Sequence, residues 1–126
     1  MMSEVSAVIT TYKRAPELLE RAILSILAQT YPIKELIVVD DSPADYSLRA
    51  SVAETVGKYA DRGVRYIQHP ANMGVSVARN TGASNCTGEF IAFLDDDDEW
   101  MPEKIEKQLK KASDNVALVY CAHKTV

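Results

Sequence analysis

Five acids in a row, Asp95 to Glu99, follow the strand-like segment Glu89 to Leu94. Like charges at that density repel one another unless a cation or protons intervene. The ligands on offer are all oxygen, which suits Mg²⁺ or Mn²⁺ rather than zinc. Acids just before a helix are also favoured by its dipole, a simpler account of Asp98 or Glu99. A second acidic pair, Asp40 and Asp41, ends the apolar run Leu36 to Val39. A carboxylate at that place can accept the N3–H of uracil, a donor that cytosine lacks, and Tyr12 can stack on a base. Equally, Asp41 or Ser42 can serve the turn before Pro43, and Tyr12 can cap the core.

The first strand-to-helix turn reads TTYKRAPE, where a dinucleotide-binding domain would carry G-x-G-x-x-G. A glycine cradle for phosphates is therefore excluded at this turn. The charge of a bound diphosphate would be met by metal, with Lys13, Arg14 or Arg79 as nearby cations. Asn72 and Gly74 open a segment that turns before becoming helical, and either can supply a positive φ. Arg79 faces the site or pairs with an acid. His69 and His123 stand alone in the sequence and read as structural, and Trp100 is expected to pack under a helix start.

These residues need a frame that brings them to one edge, and the apolar pattern supplies it. Val5 to Thr11, Leu36 to Val39, Val64 to Gln68, Glu89 to Leu94 and Val116 to Cys121 read as strands. The second is continuously apolar, as a parallel strand covered on both faces would be. Between them lie helical segments. One opens at Pro16, with Leu18, Ala22 and Ile26 on a face joined by Leu19, Ile23 and Leu27. Leu48, Val52 and Val56 mark the next. Gly74 to Ser84 follows, where Val75, Ala78 and Gly82 permit a close neighbour. Pro102 opens the last, with Ile105, Leu109 and Ala112 inward. Alternating elements of this kind predict an α/β fold, an open and mainly parallel sheet with helices on both faces. Ligands of such sheets bind outside the carboxyl ends of the strands, near the point where strand order reverses. The polar residues collect at those ends.

A chain of 126 residues makes one domain, and its net charge of −4 and pI near 5.1 favour neither nucleic acid nor an anionic membrane as partner. Cys86 and Cys121 fit no metal spacing and read as reduced thiols of a cytoplasmic protein. The N-terminus lacks the pattern of a signal peptide, and no apolar run approaches the ~20 residues that cross a bilayer. The sequence stops just after an apolar strand, so it reads as the N-terminal part of something longer.

Four segments, VITTYKRAPELLERAILSILAQTYP, ELIVVDDSP, NMGVSVARNTG and GEFIAFLDDDDEWMPEKIEKQL, together resemble the family 2 glycosyltransferases of the GT-A fold in order and spacing. That resemblance implies a Rossmann-like three-layer α/β/α domain, truncated here, with residues 1–126 forming the nucleotide-sugar-binding part. It implies transfer of a hexosyl or N-acetylhexosaminyl group from a nucleotide diphosphate, UDP favoured, to an acceptor hydroxyl with inversion. Polysaccharide, cell-envelope or glycoconjugate synthesis is the implied setting, with a longer protein at the inner face of the membrane. By matching position, Thr10, Tyr12 and Asp41 would contact the nucleoside, with Asp40 beside them. In the D-x-D signature Asp95 and Asp97 are the named acids, Asp97 the expected metal ligand, and Asp96 would reach the ribose or sugar. The run of Asp leaves that register ambiguous by one residue. Arg79 joins the expected donor contacts, and Mn²⁺ or Mg²⁺ is the implied cofactor. The general base and the pocket for a saccharide or lipid-linked acceptor belong to a later part of the family's domain. Two rivals remain at this level: a receiver-like, Mg²⁺-binding phosphoacceptor domain, and a module that binds nucleotide without chemistry.

Overall fold

The computed structural model describes residues 4–114. Four strands, β1 (Val5–Thr11), β2 (Glu35–Asp40), β3 (Val64–Gln68) and β4 (Phe90–Asp95), form one sheet in the order β3-β2-β1-β4. All three pairings are parallel. Helix α1 (Pro16–Leu27) follows β1, α2 (Arg49–Gly57) and a short 3-10 turn (Ala60–Arg62) follow β2, α3 (Val75–Ser84) follows β3, and α4 (Lys104–Asp114) follows β4.

Both faces of the sheet are covered, as the unbroken apolar strands require. Ala7, Ile9, Leu36, Val38, Ala92 and Leu94 point to the side of α1, α2 and α4, packing on Leu19, Ala22, Ile23, Ile26, Val52, Val56 and Ile105. The alternate residues Val8, Ile37, Val39 and Ile91 point to α3 and meet Ala78, Ala83 and Cys86. Each fully buried Ile or Leu here contributes about 1.5–3 kcal/mol. Gly82 allows α3 to lie this close, because a Cβ there would fall 2.4 Å from Val8 Cγ1.

Several boundaries and faces differ from expectation. Leu18 and Leu27 are only partly buried, since the inward stripe of α1 is centred on Leu19 and Ile23. Leu48 is exposed at the start of α2, and Val75 is exposed at the start of α3 rather than packed. Helix α4 begins at Lys104, with Pro102 in the turn before it, so neither Asp98 nor Glu99 lies in a first helical turn. The expected strand Val116 to Cys121, with His123, lies outside the described residues, as does the side chain of Ala112.

The topology sets where ligands can bind. From β1 the chain winds outward through β2 to β3, then returns to place β4 on the other side of β1. Strand order therefore reverses at β1, whose carboxyl end has Asp40 as the partner of Thr11 on one side and Asp95 as the partner of Thr10 on the other. A receiver-like domain is excluded by this order, because in that fold β3, not β4, lies beside β1.

Candidate functional site

A cleft of about 460 Å³ opens at that reversal. Its walls are Thr10, Thr11, Tyr12 and Arg14 after β1, Asp41 after β2, Asn72, Gly74, Val75 and Ala78 around the start of α3, and Asp95, Asp96 and Asp97 after β4. The fold thus brings together Thr10, Tyr12, Asp41, Asp95, Asp96 and Asp97, residues far apart in sequence.

The acids of the β4 run are not equivalent. Asp96 turns inward, 7% exposed, where Oδ2 accepts the Thr11 hydroxyl (2.8 Å) and the Tyr12 N–H (3.2 Å). Its Oδ1 meets Arg14 Nε at 3.1 Å. This carboxylate ties the loop after β1 to the loop after β4. Asp95 and Asp97 flank it, face the cleft and stay exposed. Arg79 Nη2 stands 3.6 Å from Asp95, Arg14 Nη2 3.8 Å from Asp97, and Arg21 Nε 3.2 Å from Glu99. Asp98 accepts the Glu99 N–H and lines a second cleft with Arg79 and Trp100. Arginines from α1, α3 and the loop between β1 and α1 therefore supply the positive charge that the run alone lacks. Repulsion within the run does not by itself call for a metal.

Among the described residues no three carboxylate, histidine or cysteine side chains converge on one point. The open oxygen donors are Asp95 and Asp97. A Mg²⁺-type ion is ordinarily held through one or two carboxylates, with phosphate and water oxygens completing its shell. The pair fits that donor chemistry.

The Asp40–Asp41 pair also divides. Asp40 is fully buried, with Oδ1 accepting the Ser42 N–H and Oδ2 the Tyr66 hydroxyl. Burial, then this bond to Asp40, push the Tyr66 phenol up from its ordinary value. Asp40 thus does not line the cleft itself, although it is the register partner of Thr11, and it holds β2 to β3. Asp41 does line the cleft. It accepts the N–H groups of Met73 (2.9 Å) and Gly74 (2.9 Å) and pairs with His69 (2.8 Å). Burial opposes its ionisation, but the hydrogen bonds from His69, Met73 and Gly74 outweigh that and hold the carboxyl below its ordinary value. Gly74 at φ 98° and ψ 154° lies where L side chains are strained, so this glycine makes the approach of its own N–H possible.

Tyr12 is 46% exposed, its ring approached by Lys13 Nζ at 5.6 Å from the centroid. Lys13 itself has φ 50°, and its N–H donates to Ser42 Oγ, so the loops after β1 and β2 are joined as well. Arg79 reaches Asp95 but lines the second cleft rather than this one. Trp100 is buried under α1 and α4, its backbone N–H donating to Ser25 Oγ. Sequence reasoning did not find Asn72, Val75 and Ala78 as cleft walls, nor the contacts of Arg14 and His69. The usable signal was position: His69 directly follows β3 and Asp41 directly follows its neighbour β2.

Comparison with known proteins places this geometry. Residues 6–126 match the family model described as glycosyl transferase family 2. A Rickettsia felis protein named as an uncharacterized glycosyltransferase is 40% identical over 114 residues, covering 90% of this chain and 18% of that protein. The Escherichia coli UDP-Glc:alpha-D-GlcNAc-diphosphoundecaprenol beta-1,3-glucosyltransferase WfgD is 34% identical over 117 residues, 92% of this chain and 44% of that one. The crystal structure of S. aureus TarS 1-349 superposes with a TM-score of 0.72 at 26% identity, over 90% of this chain and 33% of that one. The same TarS segment has also been solved in complex with UDP, and matches with a TM-score of 0.71 at 24% identity. The chain thus spans less than half the length of each of these relatives. With a family model matched from β1 onward and the parallel α/β sheet shared with TarS, the chain belongs to glycosyl transferase family 2 and has its GT-A-like fold.

Proposed function

We propose that this chain is the donor-binding part of a metal-dependent, inverting glycosyltransferase, one that moves a sugar from a nucleoside diphosphate, UDP favoured, to an acceptor hydroxyl. One observation carries the reading: Asp95 and Asp97 share a cleft with Thr10, Tyr12 and Asp41 at the reversal of strand order. WfgD, which acts on UDP-Glc and an undecaprenol-linked acceptor, supports a UDP-sugar donor and a cell-envelope product. We assign the longer protein to the cytoplasm, at the inner face of the membrane, a location consistent with that setting. Among the described residues no helix is long and apolar enough to cross a membrane.

In this reading Tyr12 offers its exposed ring to the base, Asp41 accepts an N–H from the base edge, and Thr10 lines the nucleoside pocket. Asp96 holds the two loops in register, so that Asp95 and Asp97 present their oxygens together; this favours the D-x-D register that starts at Asp95. Arg79 bears on the donor through Asp95. Displacement at the anomeric carbon builds negative charge on the departing phosphate oxygen. A divalent ion, Mn²⁺ or Mg²⁺, held by Asp95 and Asp97 supplies Lewis-acid stabilisation of that charge when bound. Inversion needs a base for the acceptor's proton. We assign that base and the acceptor pocket to a part of the longer catalytic domain outside this chain.

Calorimetric titration with UDP, GDP and dTDP, each with Mn²⁺ or with EDTA, tests the reading. UDP is expected to bind tightest, and only with metal. Equal affinity in EDTA would overturn the metal assignment. Binding without any turnover of UDP-sugars by a longer chain would instead leave a nucleotide-binding module.

A further inference from the structure

His69 is used by nothing in the scheme above, yet it is one of the most constrained side chains near the cleft. It is 6% exposed. Its backbone is fixed on both sides, the N–H donating to Asp40 O (2.9 Å) and the carbonyl accepting from Arg49 Nη2 (2.6 Å). The ring spans two elements, with Nδ1 2.8 Å from Asp41 Oδ1 and Nε2 2.8 Å from Thr81 Oγ1 of α3. The Thr81 Oγ1 is also 3.0 Å from Val77 O of its own helix, so its single hydrogen lies between that carbonyl and the ring. The ring cannot turn without losing both contacts. An ionised carboxylate only accepts, so Nδ1 carries the hydrogen directed at Asp41.

A carboxylate offers about four lone-pair positions. On Asp41, His69 and the Met73 N–H take those of Oδ1, and the Gly74 N–H takes one on Oδ2. One acceptor position remains, on Oδ2, in a residue that lines the cleft. The charged groups around the ring are the Asp41 carboxylate in front and the Arg49 guanidinium at its carbonyl.

We propose that His69, backed by Thr81, is a positioning residue for base selection: it fixes the Asp41 carboxylate so that a single acceptor faces the cleft, favouring a base with an N–H at that edge. Uracil supplies such a donor at N3. Cytosine presents a lone pair there, which the same oxygen repels. The inference rests on the nucleotide-site reading above and adds the source of its base preference.

Two near-isosteric variants separate positioning from mere packing. In His69→Asn the amide nitrogen takes the place of Nδ1 and keeps the donor to Asp41. In His69→Gln it takes the place of Nε2 and keeps only the Thr81 contact. Calorimetry with UDP and with CDP, in Mn²⁺, reads the selectivity, and hydrogen exchange at the Met73 and Gly74 amides reads the loop without any nucleotide. A lost hydrogen bond to a charged group predicts that His69→Gln lowers the UDP-over-CDP preference about tenfold. The two amides should exchange faster in that variant, while His69→Asn restores most of the preference and the protection. An unchanged UDP-to-CDP ratio in His69→Gln, or equal losses in both variants, would overturn the proposal. Failure of the unaltered protein to bind UDP would instead sink the nucleotide reading, a result visible before any variant is made.

Discussion

The two ends of the sheet each hold acids, and they use them differently. At the amino end Glu35 opens β2. Its Oε2 accepts the Ser6 hydroxyl (2.6 Å), the Thr87 N–H (2.5 Å) and the Thr87 hydroxyl (3.0 Å), while Ser6 Oγ accepts the Gly88 N–H (2.8 Å). That network closes on itself and joins β1, β2 and the approach to β4. At the carboxyl end Asp96 does the same kind of work for the loops after β1 and β4. Its neighbours Asp95 and Asp97 have no such duty, and meet only arginines at 3.6 and 3.8 Å. Acidity alone does not mark a site. Carboxylates left over once local hydrogen bonding is satisfied, and aimed into a cleft, do.

The sharpest way to break this contrast is Asp97→Ala. Half exposed and outside the core, the side chain can be removed with a stability change within about 0.5 kcal/mol. Affinity for UDP in Mn²⁺ should nonetheless fall about 100-fold, roughly 2.7 kcal/mol. If titration shows UDP binding unaltered, the excess acids have no role toward the nucleotide. Asp96→Ala should behave in the opposite sense. It leaves the Thr11 hydroxyl and the Tyr12 N–H without their acceptor and Arg14 without its ion-pair partner, at a cost of about 2 kcal/mol in unfolding free energy. Urea denaturation measures it. A variant as stable as the parent would mean that Asp96 is not the tie described here.

At the other end, Glu35→Gln should cost about 1 kcal/mol of stability and leave UDP affinity untouched. Burial works against ionisation of Glu35, but hydrogen bonds from Ser6 and Thr87 prevail and hold its carboxyl below the ordinary 4.5. A depressed folded value means that the stabilisation is complete above pH 4.5 and is lost as pH falls through the folded value. The stability gap between parent and variant should therefore narrow only in acid below that pH. A gap that stayed constant down to pH 2 would show that the carboxylate charge contributes nothing.

How much of this was legible in the sequence depends on the range of the interaction. Strands and their alternation with helices follow from apolar runs, whose period is local, and Val64 to Gln68 was delimited to the residue, whereas the strand order β3-β2-β1-β4 was not readable. The cleft followed too, because a parallel sheet delivers every strand end to one edge. Pairings across the fold were not legible. Nothing in the run Asp95 to Glu99 tells that Arg14, Arg21 and Arg79 will stand against it, since those contacts depend on how α1 and α3 lie on opposite faces. For the same reason Asp40 and Asp41 could not be told apart. Consecutive residues at a strand end point to opposite sides, so one meets Tyr66 and the other the loop at Gly74. The isolated look of His69 had the same origin: its partners lie 28 and 12 residues away.

The smallest expected effect concerns Arg79, and it decides whether the excess acids act with or against the arginines beside them. The Arg79 side chain is 47% exposed and stands 3.6 Å from a still more open Asp95, a geometry worth about 0–1 kcal/mol at a protein surface. Arg79→Gln should therefore leave stability nearly unchanged. If Arg79 serves only to offset Asp95, UDP affinity should shift less than about threefold, and the shift should shrink with added salt. If Arg79 instead swings from the second cleft onto the diphosphate, the loss should reach about tenfold, as for a charge-assisted hydrogen bond. The first outcome is expected, because the side chain lines the neighbouring cleft with Trp100 and Lys104 rather than the one with Tyr12 and Asp41.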